Sequence, residues 1–315
     1  MRTLCAAVVF AAAVFGQHPH QLMVLDSPSA PQFTVSVSRN GQVAGAICQD
    51  GKLRLWSLAS GQLTRTIDPG APSLPLTAIS DDGALVAGAD VGGGFTVWKT
   101  ISGDQVFQIE LPHYGLAMTF SPDRTRLAVA PANEPVQIYS IASRKKLLDL
   151  PQGFGGADGI VFSPDGSRVA TAGSDTVVRV FDSRDGELIG RFTDFLLEPF
   201  AAAFTVNGKT LLTAGADKVV AALNAADSAP LWKSRMPDPI LTLQISPDGA
   251  FAAALLFRVE TVMKPAPILV LDTASGRAVQ RWLPPGPTLG SAWTEDGRLL
   301  IAILLTNGIA IWRVR

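Results

Sequence analysis

Histidine, cysteine and tyrosine are scarce in this 315-residue chain, with three, two and two copies respectively. Most catalytic and metal-binding constellations therefore have little to be built from. A Ser-His-Asp or Cys-His arrangement would have to form around His113, because His18 and His20 lie close to the N-terminus. There is no Gly-x-Ser-x-Gly elbow, no His-Glu-x-x-His, no Cys-x-x-Cys and no Asp-rich calcium loop of the usual spacing. His18 and His20 alone do not make a closed metal site, which needs three or four ligands. Gly92-Gly93-Gly94 lacks the Lys-Ser/Thr of a phosphate loop and reads as a turn between strands. No catalytic residue, cofactor or metal is expected.

Charge of one sign is missing too. Lys and Arg number 26 against 27 Asp and Glu, and the longest basic run is Arg144-Lys145-Lys146. Nucleic-acid binding needs a basic stripe, so it is excluded, and binding to anionic membranes fails for the same reason. The one long apolar run, Leu4 to Phe15, follows Arg2 and precedes Gly16. It is too short to span a bilayer and reads as a secretory signal peptide with cleavage expected after Gly16. Residues 17–315 would then form a single secreted or periplasmic domain with no membrane insertion, read as a monomer. Cys5 would leave with the signal, and Cys48 would remain as a small buried hydrophobe.

What is abundant is repetition. In residues 162–192, Ser163-Pro164-Asp165-Gly166 is a strong turn signal between two short apolar runs. Gly173-Ser174-Asp175 makes the next turn, and Val177 to Phe181 form a strand rich in β-branched residues. Asp182 to Gly186 turns again before a more polar strand, Leu188 to Phe192. The turn-opening residue recurs at Ser38, Ser80, Ser121, Ser163, Thr205, Ser246 and Thr294, spaced by 42, 41, 42, 42, 41 and 48. A large third-strand residue falls at Trp56, Trp98, Tyr139, Phe181, Leu223, Leu271 and Trp312, 18 residues later in every unit but the sixth, where the distance is 25. Two markers holding register over seven copies predict a repeat architecture.

The pattern resembles the WD-repeat family, whose units each supply one four-stranded antiparallel blade of a β-propeller. The resemblance implies an all-β, seven-bladed ring. The last unit stops after its third strand, so Gln21 to Leu25 is expected to close the ring as the missing outer strand. The chain departs from the family in lacking the Gly-His dipeptide and the Trp-Asp pair, for which the nearest forms are Phe181-Asp182 and Leu271-Asp272. The family's Ser/Thr–His–Asp–Trp network therefore cannot form, and apolar packing is expected to hold the blades.

Antiparallel order puts the first-to-second and third-to-fourth strand turns on one face. The second-to-third and fourth-to-first connections lie on the other, and these vary between units, which is where recognition is expected. Three features mark that face. The sixth unit carries an insertion with Arg258, Glu260, Met263 and Lys264, expected to lengthen its second and third strands into a hairpin. Pro-rich connections occur at residues 68–72 and 284–287. His113, Tyr114, Asp194, Phe195 and Phe200 flank the first strands of units three and five. The resemblance implies a non-enzymatic scaffold that binds a protein or peptide there; the alternative is a lactonase-like or quinoprotein-type propeller with an axial site.

Overall fold

The computed structural model describes residues 21–24, 35–70, 73–257, 265–294, 297, 299–304 and 308–313. The signal-like segment, and Arg258, Glu260, Met263 and Lys264 of the sixth unit, lie outside these residues. The first strand, β1 (Gln21–Val24), precedes seven blades. Blade one is β2 (Ser36–Val37), β3 (Val43–Ile47), β4 (Leu53–Ser57) and β5 (Leu63–Ile67). Blade two is β6 (Ser73–Ile79), β7 (Leu85–Asp90), β8 (Gly94–Lys99) and β9 (Gln105–Glu110). Blade three is β10 (Gly115–Phe120), β11 (Arg126–Pro131), β12 (Val136–Ser140) and β13 (Lys145–Leu150). Blade four is β14 (Ala157–Phe162), β15 (Arg168–Gly173), β16 (Val178–Asp182) and β17 (Leu188–Phe192). Blade five is β18 (Pro199–Phe204), β19 (Thr210–Gly215), β20 (Val219–Asn224) and β21 (Pro230–Arg235). Blade six is β22 (Ile240–Ile245), β23 (Phe251–Leu256), β24 (Ile268–Asp272) and β25 (Ala278–Trp282). Blade seven is β26 (Thr288–Trp293), β27 (Leu299–Leu304), β28 (Gly308–Arg313) and, out of sequence, β1.

Every blade is a four-stranded antiparallel sheet, a simple meander in blades one to six, and the first strands contact one another around the axis. The ring closes twice. β2 meets β26 on the inside, and β1 pairs with β28 on the outside in the register Gln21↔Ile311 to Val24↔Gly308. The amino-terminal strand thus completes the blade that the end of the chain begins.

Burial follows strand order. Second and third strands are nearly continuous apolar runs covered by neighbouring blades on both faces, as at Leu127, Ala128, Val129 and Ala130 in β11 and at Val169 and Ala170 in β15. The third-strand markers from Trp56 to Trp312 are all buried, and Trp312 stacks on Trp282 with centroids 5.6 Å apart. Fourth strands alternate exposed and half-buried positions, as an outer edge facing water requires. Crowding near the axis selects small residues. A Cβ on Gly159 would lie 2.6 Å from the Phe200 carbonyl oxygen of the next blade, and one on Gly290 would lie 2.5 Å from that of Val35.

The Ser/Thr that opens each first turn does more than start it. In blades one to six its hydroxyl donates to the Asp or Asn two residues on, at 2.5–2.8 Å, and accepts the backbone N–H five residues on, at 2.9–3.1 Å. These hydroxyl residues are buried, so the bonds replace water that cannot reach them. A left-handed residue ends the turn: Gly in most blades, Arg124 at φ 61° in blade three. Asp82, Asp123, Asp165 and Asp248 are therefore turn acceptors, which accounts for their recurrence.

The blades are not held by apolar packing alone. Where the sequence keeps an Asp in the second-to-third turn, an Arg four residues on can take the place of the absent His. Arg54 donates to Asp50 at 2.6 and 2.5 Å, and Arg179 to Asp175 at 3.1 and 2.6 Å. The Asp50 carboxyl is held at about 2, chiefly by the Arg54 hydrogen bond, against the opposing effect of burial. In blade two, where Gly92 stands at that position, Asp90 accepts the N–H groups of Gly92 and Gly94 at 2.7 and 2.9 Å.

Candidate interaction face

Backbone bonds fix which loops share a face. On one side, each third-to-fourth turn is tied to its own first-to-second turn: Leu58 to Gln42, Thr100 to Ala84, Ile141 to Thr125, Ser183 to Ser167, Ala225 to Lys209 and Thr273 to Ala250, at 2.9–3.0 Å. On the other, the fourth-to-first loops bond to second-to-third turns, as in Ala132 to Tyr114, Ser174 to Gly156, Ala216 to Glu198 and Met236 to Lys218, at 2.7–3.1 Å. The loops of this second face are variable in length and composition but anchored at their bases.

Exposed apolar side chains are distributed unequally. Of twelve large ones among the described residues, six lie on the variable-loop face, two on the opposite face and four on outer strands. The six are Val91, Tyr114, Phe154, Leu196, Leu197 and Leu283, with Phe154 90% and Leu196 82% exposed. Three of the loops concerned precede β10, β14 and β18, so neighbouring blades three, four and five each present at least one.

The candidate residues divide in this frame. Tyr114 is exposed on the variable-loop face, and His113 beside it has Nδ1 3.5 Å from the Glu134 carboxylate. Asp194 is exposed and accepts from Lys233 Nζ at 2.6 Å, while Phe200 is half-buried at the start of an inner strand. Phe195 points inward. It is 4% exposed and packs edge-on against Phe192 at 5.5 Å, leaving Leu196 and Leu197 as the side chains that loop presents to solvent. Those two leucines and Phe154 are not among the residues the sequence singles out for this face. An unbroken Phe-Leu-Leu in a polar loop is the available signal: one of the three fills the core and the others stay outside it. In blade six β23 ends at Leu256 and β24 begins at Ile268, with the Leu256 N–H bonded to the Pro267 carbonyl at 3.2 Å, and the expected hairpin falls on residues 258–264, outside the described residues.

Charge on this sector is uneven. Asp158, at the bulge of β14, accepts from Ser174 Oγ at 2.7 Å. Burial pushes its carboxyl above the usual range, the Ser174 bond opposes this, and Glu198 on the next blade pushes the same way as burial. At the opposite end of the axis a cavity of about 260 Å³ draws residues from all seven blades, including Arg39, Asp81, Phe162, Gln244 and Trp293. Arg39 lies 3.6 Å from Asp81 there. No group of three or more metal-ligating side chains exists among the described residues. Nor is any described helix long and apolar enough to cross a membrane.

Comparison with known proteins agrees with this geometry. A family model described as WD domain, G-beta repeat matches residues 155–182, and one described as outer membrane protein assembly factor BamB matches residues 174–313. No curated protein sequence matches the chain. Among solved structures, a chain of the mitotic checkpoint complex is similar at 17% identity and TM-score 0.79, covering 98% of this chain and 99% of that one. The Cps50 (Swd1) β-propeller domain of Myceliophteria thermophila is similar at 16% identity and TM-score 0.78, covering 93% and 98%. Repeat register, blade topology and ring closure together make the chain a seven-bladed β-propeller with degenerate repeats, one of which matches the WD family model.

Proposed function

We propose that this propeller is a non-enzymatic scaffold that binds a protein or peptide partner through its variable-loop face. The observation that carries the reading is the asymmetry of exposed large apolar side chains among the described residues, six on that face against two on the other. Large apolar side chains left in water mainly on one face of an otherwise well-packed molecule point to an interaction surface. The rigid blades below hold the loops in place, which lowers the ordering cost of binding. The blade-six insertion with Arg258, Glu260, Met263 and Lys264 belongs to the same face by its position in the repeat.

The family model described as an outer membrane protein assembly factor supports both a binding role and a cell-envelope location. The N-terminal segment supports export, with Gln17 as the first mature residue. Affinity capture from envelope extract tests the role. The wild-type chain should retain a partner that a Phe154→Ser/Leu196→Ser variant loses; equal retention by both would sink the face assignment. Turnover of a lactone or ester, abolished by His113→Ala, would instead establish the enzymatic alternative. Mass spectrometry of the chain purified from its source should give Gln17 at the N-terminus, and an intact Met1 would refute export by cleavage.

A further inference from the structure

Resting on the scaffold reading, we infer that the segment this face accepts is both apolar and basic, seated on Tyr114, Phe154 and Leu196 with a cation against Asp158 and Glu198. The apolar half follows from blades three to five. Tyr114, Phe154, Leu196 and Leu197 stand exposed in three successive loops of one face, one loop per blade, and these form the proposed platform. Acidic peptide and nucleic acid would both bring negative charge to it.

The basic half follows from which charges on this sector already have partners. Arg179 is bonded to Asp175 at 2.6 Å, Lys233 to Asp194 at 2.6 Å, and Lys218 to the Pro237 carbonyl at 3.2 Å. His113 lies 3.5 Å from Glu134. Asp158 is met by the Ser174 hydroxyl, and among the described residues no cation pairs with it or with Glu198. These two carboxylates belong to adjacent blades, beside the axis, and burial already disfavours the charge on Asp158. An arriving Lys or Arg relieves that cost, and a carboxylate or phosphate adds to it. The platform's neighbours thus select the sign of the partner, and the exposed rings and leucines supply the contact area.

Fluorescence anisotropy with short labelled peptides tests this on the full chain. One peptide alternates Leu and Arg, one Leu and Glu, and one Ser and Arg. The Leu–Arg peptide should bind at least about tenfold more tightly than either of the others, with affinity falling as salt rises. Asp158→Asn/Glu198→Gln should weaken it about tenfold and flatten its salt dependence, with an unchanged melting temperature confirming the fold. Equal binding of the Leu–Glu peptide, no binding of the Leu–Arg peptide, or indifference to the double amide substitution overturns the inference on charge. Equal binding of the Ser–Arg peptide overturns the apolar half. The scaffold reading fails separately, if Phe154→Ser/Leu196→Ser leaves capture of the natural partner intact.

Discussion

The two faces of the disc solve different problems with the same strands. On the repeat-turn face, polar groups hold one another in place: a buried Ser or Thr hydroxyl, an Asp or Asn acceptor, and a second turn bonded to the first. On the variable-loop face, the backbone is anchored at the loop bases while Phe154, Leu196 and Leu197 stand in water. The first arrangement is what a stable turn requires of any sequence, so it recurs. The second does nothing for stability that a Ser would not do, and this is why the apolar excess there points to a partner. The contrast is not complete, since the Asp–Arg pairs of blades one and four stiffen second-to-third turns on the variable side.

That exception gives the largest expected effect. Arg54 is 3% exposed, and Asp50 is its carboxylate partner. Asp50→Asn leaves a buried guanidinium without its counter-charge. The cost should be about 2–3 kcal/mol, below that of a fully buried pair because Asp50 is partly in water. The sign with pH is definite. The Asp50 carboxyl is held at about 2 against an ordinary 3.8, so its contribution is complete above that ordinary value. It is lost as pH falls from there toward the folded value. Chemical denaturation at pH 7 and through the acid range should show the variant less stable at neutrality, with a shallower acid slope; equal stability would make the pair irrelevant.

Next in size is the repeat turn itself. Ser163→Ala removes the buried acceptor of the Arg168 N–H and the donor to Asp165, and should cost about 1–2 kcal/mol. The Ser163 bond is the chief cause of the lowered Asp165 carboxyl. Its stabilisation is present above the ordinary carboxylate range and lost on acidification, so the variant should also be less sensitive to acid. A melting temperature unchanged at neutral pH would show that the repeated hydroxyl is dispensable.

These turns also explain how much of the molecule is legible in its sequence. Blade count, turn positions, third-strand markers and the closing strand can all be read there, because each is a local requirement repeated in register. The Ser38-type and Trp56-type positions are dictated within one unit, so one unit reveals them. The Asp50–Arg54 and Asp175–Arg179 pairs are harder to see, although their spacing lies open in the sequence. The family pattern points to a His, whereas the physical need is only for a donor facing the turn Asp. Phe195 misleads for a different reason: whether a loop aromatic turns in or out depends on the core it can reach, here Phe192 just before it together with Phe204 and Leu211 of the next blade. Asp158 carries no signal at all, since its surroundings are assembled from Ser174 and the next blade's Glu198.

Substituting the variable face should move binding and leave stability alone. Phe154→Ser/Leu196→Ser removes side chains that are already in water, so unfolding free energy should shift by less than about 0.5 kcal/mol. Partner capture should fall all the same. A loss of stability beyond that range would mean the two side chains pack against the loops around them, and the comparison between faces would lose its sharpest point.

The smallest effect is expected where the titration alone would suggest a large one. The Asp182 carboxyl, on the repeat-turn face, is also held at about 2, principally by the Arg184 hydrogen bond. Here, however, the Arg184 side chain is 78% exposed, so the cation stays hydrated whether or not the pair forms, although the Asp182 side chain is only 19% exposed. An exposed ion pair gains little from water and loses side-chain freedom. Asp182→Asn should therefore leave the melting temperature nearly unchanged, in direct contrast to Asp50→Asn with its similar carboxyl value. Measured side by side, the two substitutions separate proton affinity from structural importance. If Asp182→Asn proved as damaging as Asp50→Asn, burial of the cation would not be what distinguishes the pinned turn of blade one from an ordinary surface contact.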